Sequence, residues 1–417
     1  MPLPTNILQT VQTYQDSALA YLDNLYCFIN TANKKFKDFE NKEANLGDTV
    51  TFDLPPKFAT ADTLVASFQG SQQRVQSLTV NMAKNVSYAF SNQQFVFNVR
   101  EYMEKFGKSA VRQLATTVEA DVAKLAETNT YRFYGDGTTA INSFQSLATA
   151  LAYYRNYGAV QENVRGYISD ISEPSIVGSG LTQFVQDRNE EIAYSWKIGR
   201  FSDTEWHRSN LLPVHTSGTV GNAAATADRT LTVVSTNDGT GANITQIVCT
   251  TTDANDVNAI KAYDLGQFID GVSGKPDVRF MTFIGQELSA NPCQIAVTAN
   301  ATSAAGSVTI NITPALCSVS GQNQNINTNI VAGMKILMMP SHRCGLIQGG
   351  GALYLAMPRL PEETPFPTAN KSDAESGVSL RMYYGSLFGQ NQRGFVNDVI
   401  WGKTLVPEYA MRLLFPL

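Results

Sequence analysis

The chain has 417 residues, more than one ordinary domain, so two or three packing units are expected. Hydrophobic residues make up 43%, as in most globular proteins, but charged residues only 16%, well below the usual quarter. A formal net charge of −5 excludes a basic protein that coats nucleic acid. No apolar run approaches the ~20 residues that span a bilayer. The start, MPLPTNILQT, lacks the basic and apolar regions of a secretion signal, so the expectation is a soluble chain that stays where it is made.

In chain order, Pro4 to Phe36 carries a mixed amphipathic pattern with Tyr14, Tyr21, Tyr26 and Phe28, which reads as a helical or extended arm. In LGDTVTFDLPPKF, Leu46 to Phe58, Gly47-Asp48 supplies a turn and Val50, Phe52 and Leu54 alternate with polar residues. That is a strand, ended by Pro55-Pro56. A second alternating run, Val75 to Phe90, contains Val80, Met82, Val86, Tyr88 and Phe90. The two describe an extended hairpin with little core of its own, expected to lean on a neighbouring subunit.

Asn98 to Asn129 carries the strongest helical signal. Val111, Leu114, Ala115, Val118, Val122 and Leu125 share one face, with Arg112, Glu119, Asp121 and Lys124 on the opposite side. A scaffold helix packed on a sheet is expected. Ser143 to Tyr157 gives another helix, ended by Gly158. RGYISD reads as a short buried strand, Glu173-Pro174 as a turn and Thr182 to Ala193 as a helix. WKIGRFSDTEWHRSNLLPVHTS has strand and loop character.

From Gly218 to about Ile330 the composition changes. RTLTVV, ITQIVCT, QIAVTA and SVTINIT are β-branched alternating runs separated by N-D-G, S-G, A-A-G and S-G-Q-N turn signals. Between Arg279 and Lys335 the only charged side chain is Glu287. Regular short strands with such turns predict a small antiparallel barrel or sandwich. After Met334 the apolar strands ALYLAMPRL, VSLRMYYGS and NDVIWGKTLV follow. The pattern is that of an α+β host interrupted by an all-β insertion.

Motifs that carry chemistry are missing from this pattern. There is no phosphate-binding loop. Gly349-Gly350-Gly351 precedes a strand rather than a helix, which makes it a flexible turn, and Gly135-Asp136-Gly137 reads as a loop. No G-x-S-x-G elbow occurs, and no serine stands near a credible His–Asp pair. Glu190 and Glu191 are adjacent on a helix and point apart. Asp253 and Asp256 lack the glycine and terminal glutamate of a calcium loop. Trp206-His207-Arg208 reads as a surface or interface cluster. His207, His215 and His342 lie apart from other strong ligands in sequence. The five cysteines are widely spaced and odd in number, so free buried thiols are expected rather than a disulfide framework or a zinc site. The sequons at Asn85, Asn243, Asn300 and Asn311 have no meaning without secretion. No enzyme, cofactor or metal site is expected.

The order of these segments resembles the major capsid (coat) proteins of tailed double-stranded DNA phages, with the Hong Kong 97-type fold. It is most similar to podophage coat proteins with an inserted β-barrel domain. LGDTVTFDLPP from Leu46 is similar to the first E-loop strand, and Gln73 to Phe97 to the return strand leading into the P domain. Phe106 to Thr128 corresponds to the spine helix. NLLPVHTSG from Asn210 is similar to the strand leading into the insertion. AYDLGQFIDGV from Ala262 and AAGSVTINITPAL from Ala304 look like barrel strands. NDVIWGK from Asn397 and PEYAMRL from Pro407 are similar to the closing P-domain segment. The resemblance thus covers almost the whole chain.

The resemblance implies an N-terminal arm at 1–45, an E-loop hairpin at 46–90 and a P domain with the spine helix at 91–142. It implies a first part of the A domain at 143–217, the inserted barrel at 218–330 and an A/P return segment at 331–417. Asp48, Thr49, Phe52, Pro55, Lys57 and Phe58 of the E-loop are the implied subunit contacts. The implied role is structural: pentamers and hexamers build an icosahedral shell through a procapsid that expands. Scaffolding and portal proteins are implied partners, decoration proteins are compatible with the reading, and DNA is enclosed without sequence-specific binding. Assembly in the bacterial host cytoplasm and a final place in the virion capsid follow. Some members cross-link a lysine to an asparagine between subunits, a role for which Lys57 would be the candidate, although podophage-like members generally do without it. The alternative from another class is a phage tail or adhesin protein binding a receptor or glycan, against which the helix at Val111 to Leu125 counts. A hydrolase with an inserted barrel lacks its nucleophile and base.

Overall fold

The computed structural model describes residues 27–34, 46–58, 70, 73–91, 108–158, 162–180, 198–252, 255–283, 285–361, 368–373, 378–386, 389 and 391–417. The expected arm before Cys27, the helix at Thr182 to Ala193 with Glu190 and Glu191, and Asp253 lie outside the described residues.

In chain order, helix α1 (Cys27–Thr31) precedes strands β1 (Thr49–Leu54) and β2 (Arg74–Ser91). Helices α2 (Lys108–Ala123) and α3 (Leu125–Thr128) follow, then β3 (Phe133–Tyr134), α4 (Phe144–Asn156), β4 (Arg165–Ser169) and α5 (Glu173–Gly180). Next come β5 (Arg200–Phe201), β6 (Thr204–Ser209), β7 (Val214–His215), β8 (Thr230–Thr236), β9 (Ile244–Thr250), β10 (Asn255–Ile260) and β11 (Leu265–Phe268). After them stand β12 (Arg279–Met281), β13 (Leu288–Pro292), β14 (Gln294–Val297), β15 (Ala301–Ala304), β16 (Ser307–Leu316), β17 (Lys335–Met338) and β18 (His342–Gln348). The chain closes with β19 (Leu353–Ala356), β20 (Thr368–Asp373), β21 (Val378–Ser386), β22 (Gln392–Leu405), a 3-10 turn (Pro407–Tyr409) and β23 (Ala410–Phe415).

The fold is mostly β with few helices, where the sequence pattern predicts α+β. Helical periodicity is confined to short stretches, and alternating β-branched residues occupy the rest. Glu173-Pro174 opens α5 rather than forming a turn, because proline suits the first turn of a helix. The long helix is interrupted at Lys124, between α2 and α3. Helix α4 starts as its sequence predicts: Ser143 Oγ accepts from the Ser146 amide and Ser146 Oγ from the Ser143 amide.

The chain divides into two compact units. The first comprises Met1–Asp53, Val75–Ala123 and Leu353–Leu405. Its sheet runs β1-β2-β22-β21-β20, with β19 also on β22. Strand β2 pairs antiparallel with β22 from Val80 opposite Gly402 to Ser91 opposite Gln392. Along this length the expected hairpin pairs with the chain's own strand β22. The pairing slips between Val80 and Met82. Such bulges admit close backbone approach, and a Cβ on Gly402 would lie 2.5 Å from the Thr79 carbonyl oxygen. The expected apolar face of α2, with Val111, Leu114, Ala115, Val118 and Val122, is buried.

The second unit comprises Leu54–Arg74, Lys124–Ala352 and Val406–Leu417. It contains a mixed sheet in the order β3-β23-β18-β4-β6-β5, with β7 on β18. Two of its pairings, β3 with β23 and β4 with β6, are parallel. The predicted barrel is a closed ring of six antiparallel strands, β16-β14-β11-β17-β8-β9, completed by β9 against β16. Strands β15 and β10 extend from β16, and β12 pairs with β13. The ring takes in β17 at Lys335–Met338, beyond the Ile330 limit read from composition. Composition could not mark that strand, because KILM is as apolar as the strands of the host.

Alternation sets which way the ring's side chains face. In β16, Val308, Ile310 and Ile312 are buried, while Ser307, Thr309 and Asn311 face out. At the N-D-G turn between β8 and β9, Asp238 accepts from the amides of Thr240, Ala242 and Asn243. Asn237 Oδ1 accepts from Thr245 and Gln246. These side chains satisfy the amides that the turn leaves without ladder partners. The ring interior and the mixed sheet share one hydrophobic cluster, from Tyr131 and Leu147 through Ile247 and Ile310 to Phe415.

The Gly349 turn is hydrogen-bonded rather than loose. Gly349 donates to Tyr409 and Gly350 to the Glu162 carbonyl.

Gly402→Ala should destabilise the chain, because the Thr79 carbonyl is backbone and cannot rotate away. The cost expected for overpacking is roughly 1–3 kcal/mol, read as a lower urea midpoint than wild type.

Candidate functional site

The six residues expected at subunit contacts fall on both units. In the first, the Gly47 amide donates to the Val80 carbonyl and the Val80 amide to the Asp48 carbonyl, which sets the β1–β2 register. Thr49 Oγ1 lies 2.9 Å from Thr79 Oγ1. Phe52 packs on Tyr354, ring centroids 4.1 Å apart, so it is half-buried within the chain. Asp48 and Thr49 are exposed.

In the second unit, Pro55 is exposed and its carbonyl accepts from Arg74 at 3.4 Å. Lys57 Nζ sits 3.4 Å from Glu408 Oε1 and 4.4 Å over the Phe283 ring. Arg74 shares the same Glu408 carboxylate. Burial draws the Lys57 ammonium below its ordinary value, and the Glu408 charge only partly restores it. The lysine is thus tied down within its own chain. Phe58 is 57% exposed, a large apolar ring facing solvent.

Other charged groups that the sequence pattern placed on polar faces are structural. Glu119, expected on the solvent side of the helix, is 1% exposed. Its carboxylate accepts from the Phe28 and Ile29 amides at 2.8 and 2.9 Å, at the start of α1. Desolvation raises its pKa, against the pull of those bonds. Asp121 accepts from Trp401 Nε1 at 2.8 Å and pairs with Lys403 at 2.6 Å. The partners are far away in sequence, so helical spacing alone could not reveal them.

The fold brings together a His–Asp pair from positions far apart in sequence. His215 Nε2 lies 2.7 Å from Asp264 Oδ1, and its Nδ1 lies 2.8 Å from Glu127 Oε1. Both ring nitrogens are occupied, so the imidazole has no free nitrogen to take a proton from a nucleophile. Trp206 is buried in β6 rather than on the surface, and Asp256 accepts from the Asn258 amide. Among the described residues, no three or more His, Cys, Asp or Glu side chains are placed to hold a metal ion. Their five cysteines are free thiols. Among them, too, no helix is long and apolar enough to cross a membrane. An open cavity of about 610 Å³ on the barrel is lined by Thr230, Thr232, Thr250, Asp270, Ser273 and Lys335.

No family model matches the chain, and no curated protein matches it. Among solved structures it is similar to one from Mycobacterium phage Che8, at 9% identity, 93% of this chain and 90% of that one, TM-score 0.47. It is similar to the capsid structure of the cyanophage P-SCSP1u, at 11% identity, 89% and 84% coverage, TM-score 0.41. It is also similar to the capsid of Ralstonia phage GP4, at 8% identity, 94% and 88% coverage, TM-score 0.43.

Glu119→Ala should leave two buried amide donors without an acceptor. The expected cost is about 1–3 kcal/mol per unsatisfied group, seen as a lower urea midpoint. Arg112→Ala on the exposed side of α2 should change it by less than about 0.5 kcal/mol.

Proposed function

We propose that this chain is the major capsid protein of a tailed double-stranded DNA phage, a structural subunit rather than an enzyme or an adhesin. In this reading many copies form the pentamers and hexamers of an icosahedral shell, assembled with scaffolding and portal proteins in the host cytoplasm. β1 and β2 are the E-loop hairpin, α2 is the spine helix, and the first sheet belongs to the P domain. The mixed sheet belongs to the A domain, and the six-stranded ring with β17 is the inserted domain.

The observation that carries this reading is the order of parts along the chain. A hairpin and an amphipathic helix come first, then a mixed sheet, then a charge-poor closed barrel, then a return through the first sheet. The sequence resemblance has the same order. The exposed Phe58 beside Pro55 and Pro56 supports a contact role for the hairpin, because a large exposed ring suits an interface.

Electron microscopy of the purified, assembled protein should show closed shells. A discrete monomer or trimer under assembly conditions would sink the proposal. Phe58→Ser should lower shell yield while leaving the urea midpoint within about 0.5 kcal/mol of wild type, since the ring packs on solvent. Normal yield from that variant would remove Phe58 from the interface.

A further inference from the structure

The His215 cluster lies where the chain passes from the mixed sheet into the barrel. His215 ends β7, and Gly218 begins the segment that hydrogen-bonds along β10, with the Thr219 amide on the Asn258 carbonyl and the Val220 amide on Ala259. A Cβ on Gly218 would lie 2.4 Å from the Ala259 carbonyl oxygen, so the two backbones meet directly. Asp264, which holds one side of His215, uses its second oxygen to accept from the Gly218 amide at 3.1 Å and the Lys261 amide at 2.8 Å. One carboxylate thus joins the histidine to both backbone segments at the root of the barrel.

The geometry decides the charge of the ring. A carboxylate oxygen faces each nitrogen at hydrogen-bond distance, and ionised carboxylates only accept. Both nitrogens must then carry protons, which makes His215 an imidazolium at 2% exposure. The neighbours agree with this. Arg412 from β23 is buried, donates to the carbonyls of Ala126 and Glu127 and to Thr130 Oγ1, and reaches the Tyr263 carbonyl. Glu127 and Asp264 are balanced by His215 and Arg412 only if the imidazole is charged. A buried group of net charge would be costly.

His342 from β18 lies 5.3 Å from His215, ring to ring, yet it is in the opposite state. Its Nδ1 donates to the Pro340 carbonyl at 2.8 Å and its Nε2 faces Arg412 Nη1 at 3.5 Å, which needs a lone pair there. Burial and then the Arg412 charge push it down to about 3, so it stays neutral. The Lys124 charge also acts on Glu127, and the buried Cys344 thiol is pushed up to about 11 and remains protonated.

We propose that the Glu127–His215–Asp264 array is a pH-gated latch that fastens the root of the barrel and releases when His215 loses its proton. On release one nitrogen turns a lone pair toward a carboxylate, and the array is left with an unbalanced negative charge. Asp264 is then free to draw away from the Gly218 and Lys261 amides. The inference does not depend on the capsid reading.

The sign follows from the two shifts. Burial pulls His215 down, but the hydrogen bonds to Asp264 and Glu127 outweigh it and hold the ring above its ordinary 6.5. A group with a raised folded value stabilises fully below its unfolded value, and that stability is lost as pH rises through the folded one. Burial raises Glu127, but the bond and charge of His215 outweigh it and hold it below 4.5, so its share is lost only in acid. The latch is closed between those limits and opens on the alkaline side.

Hydrogen exchange of the full-length protein tests this, in peptides covering 211–220 and 257–265, expressed as protection relative to the intrinsic rate at each pH. Between pH 6 and pH 9 protection at these peptides should fall about tenfold for each unit by which the histidine is raised. Peptides from β18 and β23 should not change. His215→Gln keeps the shape but cannot titrate, and should abolish the pH dependence at the root while leaving it unprotected throughout. Flat protection from pH 6 to 9 in the wild type would overturn the proposal, and so would the same pH profile in His215→Gln. Should that variant not fold, the wild-type profile alone decides.

Discussion

The constraint on which the structure depends is that a charge taken out of water must be matched. With 16% charged residues the chain has few charges to place, and several of them are inside. Glu119 accepts from amides at the start of α1, Asp121 holds Trp401 and Lys403, and Arg381 pairs with Asp398 at 2.6 Å. Arg132 lies 4.0 Å from the Tyr157 ring and donates to the Tyr154 carbonyl. Arg412 gathers the carbonyls at the end of α3. Glu119, Asp121 and Arg412 join segments far apart in sequence, so each fixes tertiary arrangement at a point where apolar contact alone would tolerate sliding. Removing one partner leaves an uncompensated buried charge, which costs more than the intact pair contributes.

Much of the architecture was legible because alternation and turn chemistry act locally. Val50, Phe52 and Leu54 marked β1, and Val308, Ile310 and Ile312 marked β16, since side chains on a strand point to opposite faces in turn. Asn237-Asp238-Gly239 marked the β8–β9 turn through the side-chain to backbone bonds such residues make. What escaped depends on distance along the chain. Nothing local ties β17 to the ring, and only its pairing with β8 and β11 shows that it completes it. Glu119 reads as a solvent-side residue, because helical spacing does not show that α1 sits over that face. The His215 array joins positions 127, 215 and 264, and no local pattern connects them.

The hairpin shows the same limit from the other side. Two strands with a long connection and little core suggest dependence on an outside surface. The partner of β2 turns out to be β22, some three hundred residues later. Of the six residues expected at subunit contacts, Phe52 and Lys57 are half-buried within the chain, while Asp48, Thr49, Pro55 and Phe58 are exposed. Local pattern separates strand from loop, but whether a residue faces its own chain or another is set by topology.

The charge-poor tract joins these points. A closed antiparallel ring leaves no unpaired edge among its six strands, so it offers no template for stray strand pairing. Its outward positions on β16 are Ser307, Thr309 and Asn311, which hydrogen-bond to water without adding charge. In an array of identical subunits every surface charge meets copies of itself, and like charges held close together repel. Neutral polar faces avoid that repulsion while keeping the surface wettable. A closed barrel whose outward strand positions carry few charges presents neither an open edge for wrong-register pairing nor a dense field of like charges.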